Sequence, residues 1–477
     1  MTWREQMFTV KPVATLLAEM NSDNGLRRVL GPVALTSLGV GCIIGAGIFV
    51  LTGLAANQYA GPGLVLSFII AGFGCTLAGL CYAEFASMVP VAGSAYTYTY
   101  ATLGELMAWI IGWDLLLEYA VASSTVAHGW SHYFVSFLGI FDIVLPQAWI
   151  ANPFDFDPTT QTWVATGAYL NLPAAIVVLL ITCVLVIGIK ESARFNSAMV
   201  ILKLAVVLFV IVVGAGYIET ENWQPFLPYG MSGVLKGSAY IFFAYIGFDS
   251  VSTHAEEARN PQRDVPIGII ASLTLCTILY ILVAGVLTGM VPYYEIDIDA
   301  PVADAFRQRG LHAAELLISV GAVVGITSVL LVLMLSAARI LLALARDGLI
   351  SRDFFGAVHP KYRTPHKATI LVGVFVAIVG ATFPLKLLAD LVNIGTLMAF
   401  VVVCAAVIIM RRTNPDLPRP FRTPFMPWVP IGGMIMNLGM MFSLGWENWL
   451  RLVVWLLIGL VVYMMYGRHH SRLRTGV

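Results

Sequence analysis

Apolar runs long enough to cross a bilayer recur about a dozen times along this chain, and that feature leaves few folds open. Roughly 18 or more apolar residues in succession mark a spanning helix. In hydrocarbon every backbone N–H and C=O must be bonded inside the protein, so only helices and closed barrels span it. These runs are continuous rather than alternating, which selects the helix. The chain is 59% hydrophobic and only 11% charged, where a soluble domain carries about 25% charged residues. With 27 basic and 27 acidic residues, no net charge draws it to nucleic acid. The fold class expected is an all-α membrane protein of about twelve transmembrane helices.

Spans one to ten are expected near 33–57, 62–88, 104–130, 171–189, 195–218, 232–256, 266–290, 311–345, 367–384 and 388–410. A proline-rich connector over 414–430 precedes spans eleven and twelve. The division that follows is a leading segment 1–32, two five-span halves 33–219 and 220–410, a connector with two further spans 411–467, and a basic tail 468–477. Five spans per half is an odd number, so the second half is inverted relative to the first. Alternate loops carry 21 of the 27 Lys and Arg. That bias places both termini in the cytoplasm, with a bacterial inner membrane as the expected location. The first twenty residues are too polar for a cleaved signal peptide and read as a cytosolic amphipathic lead-in.

One stretch breaks the apolar pattern. Gly39-Val40-Gly41-Cys42-Ile43-Ile44-Gly45-Ala46-Gly47-Ile48-Phe49 is rich in glycine, inside the first span. Glycine weakens a helix and lets other groups approach the backbone. Two readings stand: an interrupted helix whose freed N–H groups face an anion, or a close-packing seam between helices. Span six repeats the pattern in Phe242-Phe243-Ala244-Tyr245-Ile246-Gly247-Phe248-Asp249. Interrupted segments at matching places in two halves point to a solute site near the midplane.

Ionisable residues inside spans are functional candidates by default. Lys203 lies nine residues past Arg194, or roughly 13 Å at 1.5 Å per residue. That depth defeats snorkelling, so its amine either couples to protons or ties a broken helix through backbone carbonyls. Asp114 and Glu118 are four apart and share a helix face; Glu118 is the stronger proton-coupling candidate and Asp114 the more structural. Asp249 follows the span-six break and is expected to satisfy freed N–H groups. Glu84 reads as a gate or an interfacial group, Tyr96, Tyr98 and Tyr100 as an interfacial aromatic cluster, and 256–266 as a solvated hinge. The six cysteines read as buried packing thiols. No zincin, nucleophile-elbow or phosphate-loop motif is present, so the chain is not read as an enzyme.

Several of these segments together resemble the amino acid–polyamine–organocation superfamily, and within it the cationic amino acid transporter family. They are Gly45-Ala46-Gly47-Ile48-Phe49-Val50-Leu51-Thr52-Gly53, Cys81-Tyr82-Ala83-Glu84-Phe85, Pro90-Val91-Ala92-Gly93-Ser94-Ala95-Tyr96, Phe243-Ala244-Tyr245-Ile246-Gly247-Phe248-Asp249 with Glu256-Glu257-Ala258-Arg259-Asn260-Pro261-Gln262-Arg263, Asn393-Ile394-Gly395-Thr396-Leu397, and Arg419-Pro420-Phe421-Arg422-Thr423-Pro424. The resemblance implies two inverted five-helix repeats with helices one and six broken. It implies that amides around Ile43, Gly45, Ala46 and Gly47 hold a substrate carboxylate. It implies that carbonyls of Phe243, Ala244 and Ile246 hold the ammonium, with Phe243 as an outer gate. Lys203 matches the lysine that replaces a sodium site in proton-coupled relatives.

The resemblance implies that span eight lines the side-chain pocket, where the wall reads Thr327-Ser328-Val329-Leu330-Leu331-Val332-Leu333-Met334 and the side chain of a bound amino acid is expected to end at Leu333. No carboxylate lies nearby in sequence to meet a guanidinium, which would lose its hydration without a partner. The expectation is a secondary active, proton-coupled transporter of small or branched neutral amino acids working by alternating access. A cationic amino acid transporter or an exchanger is the alternative, and a non-transporting amino acid receptor is the reading from a different class. The partners expected are the amino acid and the bilayer, with room for a small accessory membrane subunit. No cofactor is expected beyond the proton as coupling ion, and no metal.

Overall fold

A computed structural model describes residues 7–13, 16, 30–89, 93–157, 162–187, 193–362 and 364–472. Among these, eight helices are long and apolar enough to cross a membrane and four shorter apolar helices accompany them. Twelve spans result. Span one is Pro32–Ile43, continued after a break by Gly47–Leu51, Thr52–Ala55 and Ala56–Ala60. Spans two to five are Leu64–Met88, Glu105–Gly139, Leu172–Ile187 and Ala193–Ala215. Span six is Gly230–Ile241, a tight turn Phe242–Tyr245, and Ser250–Thr253 after a second break. Spans seven to twelve are Pro261–Met290, His312–Arg346, His366–Thr382, Leu385–Thr413, Trp428–Ser443 and Trp446–Val462.

The interior is built from pairs. Span two packs along span seven, span three along span eight, and span four along span nine, while the two broken spans touch each other. Glycine sets the closeness of several contacts: a Cβ on Gly72 would lie 2.7 Å from the Tyr245 hydroxyl, and one on Gly321 2.4 Å from Val206 Cγ2. Small residues allow this in a bilayer, where apolar burial itself drives little helix association. Proline opens spans one and seven, where its missing N–H has no intrahelical partner to lose.

Lys11, near the start of the chain, and Arg472, near its end, both meet Asp347 at the close of span eight, through the Lys11 ammonium at 3.2 Å and the Arg472 N–H at 3.0 Å. This shared end of the bundle is the basal end, and the opposite end the apical one. At the apical end the loop after span three holds a two-stranded antiparallel hairpin, Phe154–Asp157 with Thr162–Ala165.

Four expectations change. Tyr96, Tyr98 and Tyr100 are buried on a helix, Ser94–Thr102, rather than interfacial. Two of the hydroxyls serve basal contacts: Tyr96 donates to Asp347 at 2.5 Å and Tyr100 to Glu105 at 3.0 Å. Glu84 is fully buried and accepts from Arg411 at 2.8 and 2.6 Å and from the Thr423 N–H at 2.7 Å. It anchors the proline-rich connector, and a charge so deeply engaged is a strut. The stretch 256–266 is only partly a hinge: its second half is the start of span seven, where Asn260 precedes the helix and its N–H donates to Asp264. Of the cysteines, Cys183 is exposed on its helix, while the other five are buried.

Candidate functional site

The helix of span one ends at Ile43. Ile44 takes an extended conformation (φ −75°, ψ 102°), and the helix restarts at Ala46–Gly47 in a wider π-type turn. The first N–H groups of a restarting helix have no intrahelical acceptor and carry its positive dipole end. Gly45, Ala46 and Gly47 stand at that end of the restarted helix. In span six the chain leaves the helix through Phe242–Tyr245, turns at Ile246 (ψ 136°) and passes Gly247 at φ +113°, a conformation that suits glycine.

The two breaks cross in direct contact. A Cβ on Gly47 would stand 2.4 Å from Ala244 Cα, and one on Gly247 2.9 Å from Cys42 Cβ. No side chain could occupy either position without moving backbone. A Cβ on Gly45 would meet Val329 Cγ2 of span eight at 2.8 Å. Val329 is thus the span-eight residue that faces the break, one turn before the expected Leu333, which is buried on the same helix face.

Lys203 reaches the break from span five. Its fully buried ammonium donates to Gly41 O at 2.6 Å and to Ile44 O at 3.1 Å, the carbonyls orphaned where the first half-helix ends. Gly325 makes the reach possible, since a Cβ there would lie 3.2 Å from Lys203 Cγ.

Two further residues complete the arrangement: Tyr280, which the sequence did not single out, and Asn393, which it gave only as part of a motif. The Tyr280 hydroxyl of span seven lies 2.8 Å from Ile43 O and 2.9 Å from Ala244 O, so one group joins both breaks. Asn393 of span ten donates its amide to Ala239 O at 3.0 Å and Tyr240 O at 2.9 Å, satisfying the end of the first half of span six. Phe243 O already accepts from the Ile246 N–H at 3.1 Å, and Ala244 O from Tyr280. A carbonyl has two lone pairs, so each keeps one acceptor position. Phe243 and Ile246 are both buried.

The carboxylates form a second group. The Tyr119 hydroxyl donates to Asp249 Oδ2, and Asp249 Oδ1 has no hydrogen-bond partner. Glu118 lies close enough to Asp249 and Asp114 for their charges to interact. Asp114 and Glu118 are fully enclosed and make no hydrogen bond of good geometry, with Asp114 facing Gly395. No hydrogen bond or ion pair joins Lys203 to this group among the described residues. The structure thus gathers Ile43, Gly45, Ala46, Gly47, Ala244 and Lys203 at one crossing, and sets Glu118 and Asp249 apart from it.

The amino acid permease family matches residues 30–468 of this chain. A methylthioribose transporter of Bacillus subtilis is 47% identical over 467 residues, covering 98% of this chain and 99% of that protein. The branched-chain amino acid permease BcaP of the same organism is 49% identical over 468 residues, with the same coverage. A vacuolar cationic amino acid transporter of Arabidopsis thaliana is 31% identical over 581 residues, covering 97% of this chain and 95% of that protein.

Proposed function

This chain belongs to the amino acid permease family, a multi-pass membrane transporter and not an enzyme, and from that membership we propose that it carries small or branched neutral amino acids inward by proton-coupled alternating access. The observation that supports this most is the crossing of the two breaks. One offers the amides of Gly45, Ala46 and Gly47 to a carboxylate; the other offers the remaining acceptor positions of Phe243, Ala244 and Ile246 to an ammonium. A half-helix N-terminus suits an anion, and unwound carbonyls suit a cation.

The side-chain wall supports neutral solutes. Val329 and Leu333 are both apolar and buried on span eight, so a guanidinium there would lose water for no return. The 49% identical relative bears the name of a branched-chain amino acid permease. Proton coupling falls to Lys203: protonated, it holds Gly41 O and Ile44 O and so fixes the first half of span one; neutral, it loses its charge-assisted bonds and frees that half to move. The basal end faces the cytoplasm of a bacterial cell, as the clustering of Lys and Arg supports.

Proteoliposomes with an imposed inward proton gradient test the reading. Leucine, valine and alanine are expected to accumulate and to be displaced poorly by arginine. Preferred uptake of arginine, or accumulation indifferent to the gradient, would overturn the corresponding part. The 47% identical relative motivates one further arm: methylthioribose, a sugar without ammonium or carboxylate, is expected not to compete.

A further inference from the structure

Basal to the crossing, the end of span six is joined to span eight. The last turn of span six, Ser250–Thr253, is followed at once by His254, which is buried. Arg339 of span eight brings its Nη1 within 3.4 Å of His254 Nε2, and its Nη2 lies 3.9 Å from Glu257 Oε1. Val329, which faces Gly45 at the crossing, precedes Arg339 by ten residues on the same helix, or about 15 Å at 1.5 Å per residue. A solute that moves basally between spans six and eight therefore meets this contact after it leaves the breaks.

The partners of the two ring nitrogens fix the state of the imidazole. His254 Nδ1 lies 2.9 Å from Ser250 O and 3.1 Å from Thr253 Oγ1. The carbonyl can only accept, and the threonine hydroxyl already donates to that same carbonyl at 2.7 Å, so Nδ1 carries the hydrogen. Arg339 can only donate, so Nε2 presents its lone pair. The contact thus requires a neutral ring. A proton at Nε2 removes the acceptor and sets an imidazolium against a guanidinium, two like charges in contact. The acids of the adjoining segments are engaged elsewhere: Glu257 faces Arg339, Asp249 accepts from Tyr119, and Asp264 from the Asn260 N–H. Tyr98, on the helix Ser94–Thr102, bonds to Ser252. Burial and the Arg339 charge push the His254 ring down to about 4, from an ordinary value of about 6.5.

We propose that His254 is a positioning residue of the transport cycle: neutral, it holds Arg339 across the basal exit, and a proton taken at Nε2 from the basal side releases the guanidinium and opens that exit. Only the Arg339 side chain has to swing, toward water that already reaches it, since it is 36% exposed. Span six keeps its place. A ring that is harder to protonate when latched than when free favours the free form as pH falls. From a released value of about 6.5 and a latched one of about 4, the ratio of released to latched form rises roughly tenfold between about pH 7.5 and 5.5. The inference rests on the transport reading of the crossing, and it adds below it an exit that answers to protons independently of Lys203.

Valine counterflow in proteoliposomes of the full-length protein tests it, with the same pH on both sides so that no gradient drives uptake. The wild-type rate is expected to rise roughly five- to tenfold from about pH 7.5 to 5.5. His254→Gln keeps an acceptor for Arg339 but does not titrate, and is expected to reduce that rise to about twofold or less. Arg339→Met has no donor to latch; it is expected to run fast already at the higher pH and to show the same flat profile. It serves alone if His254→Gln fails to fold. A flat wild-type profile, or a full rise kept by both folded variants, would overturn the latch. So would an Arg339→Met rate below wild type at the higher pH, the mark of a bond that only holds the fold together. No counterflow by the folded wild type at any pH would instead remove the transport reading on which the inference rests.

Discussion

The two breaks look alike in sequence and are stabilised in opposite ways. In span one the carbonyls orphaned at Gly41 and Ile44 are held by a cation from another helix, Lys203. In span six the chain is held by neutral donors: Asn393 on Ala239 and Tyr240, Tyr280 on Ala244, and its own Ser250 hydroxyl on Gly247 O at 2.5 Å. Its acid, Asp249, accepts from the Tyr119 hydroxyl. The difference is instructive. A break held by a charged amine can be released when that amine loses its proton, whereas amides and hydroxyls offer no such release. On the proposed proton coupling, span one is the partner expected to move and span six the one expected to stay.

The largest expected effect comes from filling the crossing. Gly47→Val drives a branched side chain into Ala244 backbone and should reduce valine uptake to background. Gly247→Ala, against Cys42 and at a positive φ, should cost about 1–3 kcal/mol in melting stability while leaving measurable uptake. Equal loss in both variants would erase the distinction between the breaks. Next comes Lys203→Met, which removes two charge-assisted bonds worth about 1.5–3 kcal/mol each. Gradient-driven accumulation should vanish while counterflow of bound solute persists. Retained accumulation in Lys203→Met would move the proton elsewhere, with Glu118 the first candidate.

Tyr280→Phe deletes the one hydroxyl shared by both breaks. A neutral hydrogen bond contributes about 0.5–1.5 kcal/mol, so KM should rise roughly three- to tenfold with little change in maximal rate. A change confined to melting temperature would make Tyr280 mere packing. Gly325→Ala should have the smallest effect, a few-fold loss of coupled uptake, because Lys203 must shift its stem by only tenths of an ångström. A full loss there would show that the reach of the lysine has no slack.

Much of this was legible in the chain. Span limits follow from the length of apolar runs, and spans seven and eight fall within five residues of where hydropathy put them. The breaks were visible because glycine inside an apolar run has few other uses, and Lys203 because its depth forbids snorkelling. Tyr280 was not, since a tyrosine in Leu279-Tyr280-Ile281 reads as a core aromatic until its hydroxyl is placed. Val329 was within the expected wall, but that it is the residue against Gly45 depends on the rotation of span eight, which packing sets. Glu84 was misread because Arg411 lies 327 residues away in sequence.

The central claim is that the crossing receives the two ends of a zwitterion at once. Calorimetric titration of the purified protein with valine, valine methyl ester and N-acetylvaline tests it directly. The ester lacks the anionic carboxylate and the acetyl derivative lacks the ammonium. Valine should bind most tightly, with each analogue weaker by about tenfold or more, as loss of a charge-assisted contact of about 1.5–3 kcal/mol requires. An analogue that binds as tightly as valine would show that one of the two breaks does not hold the solute.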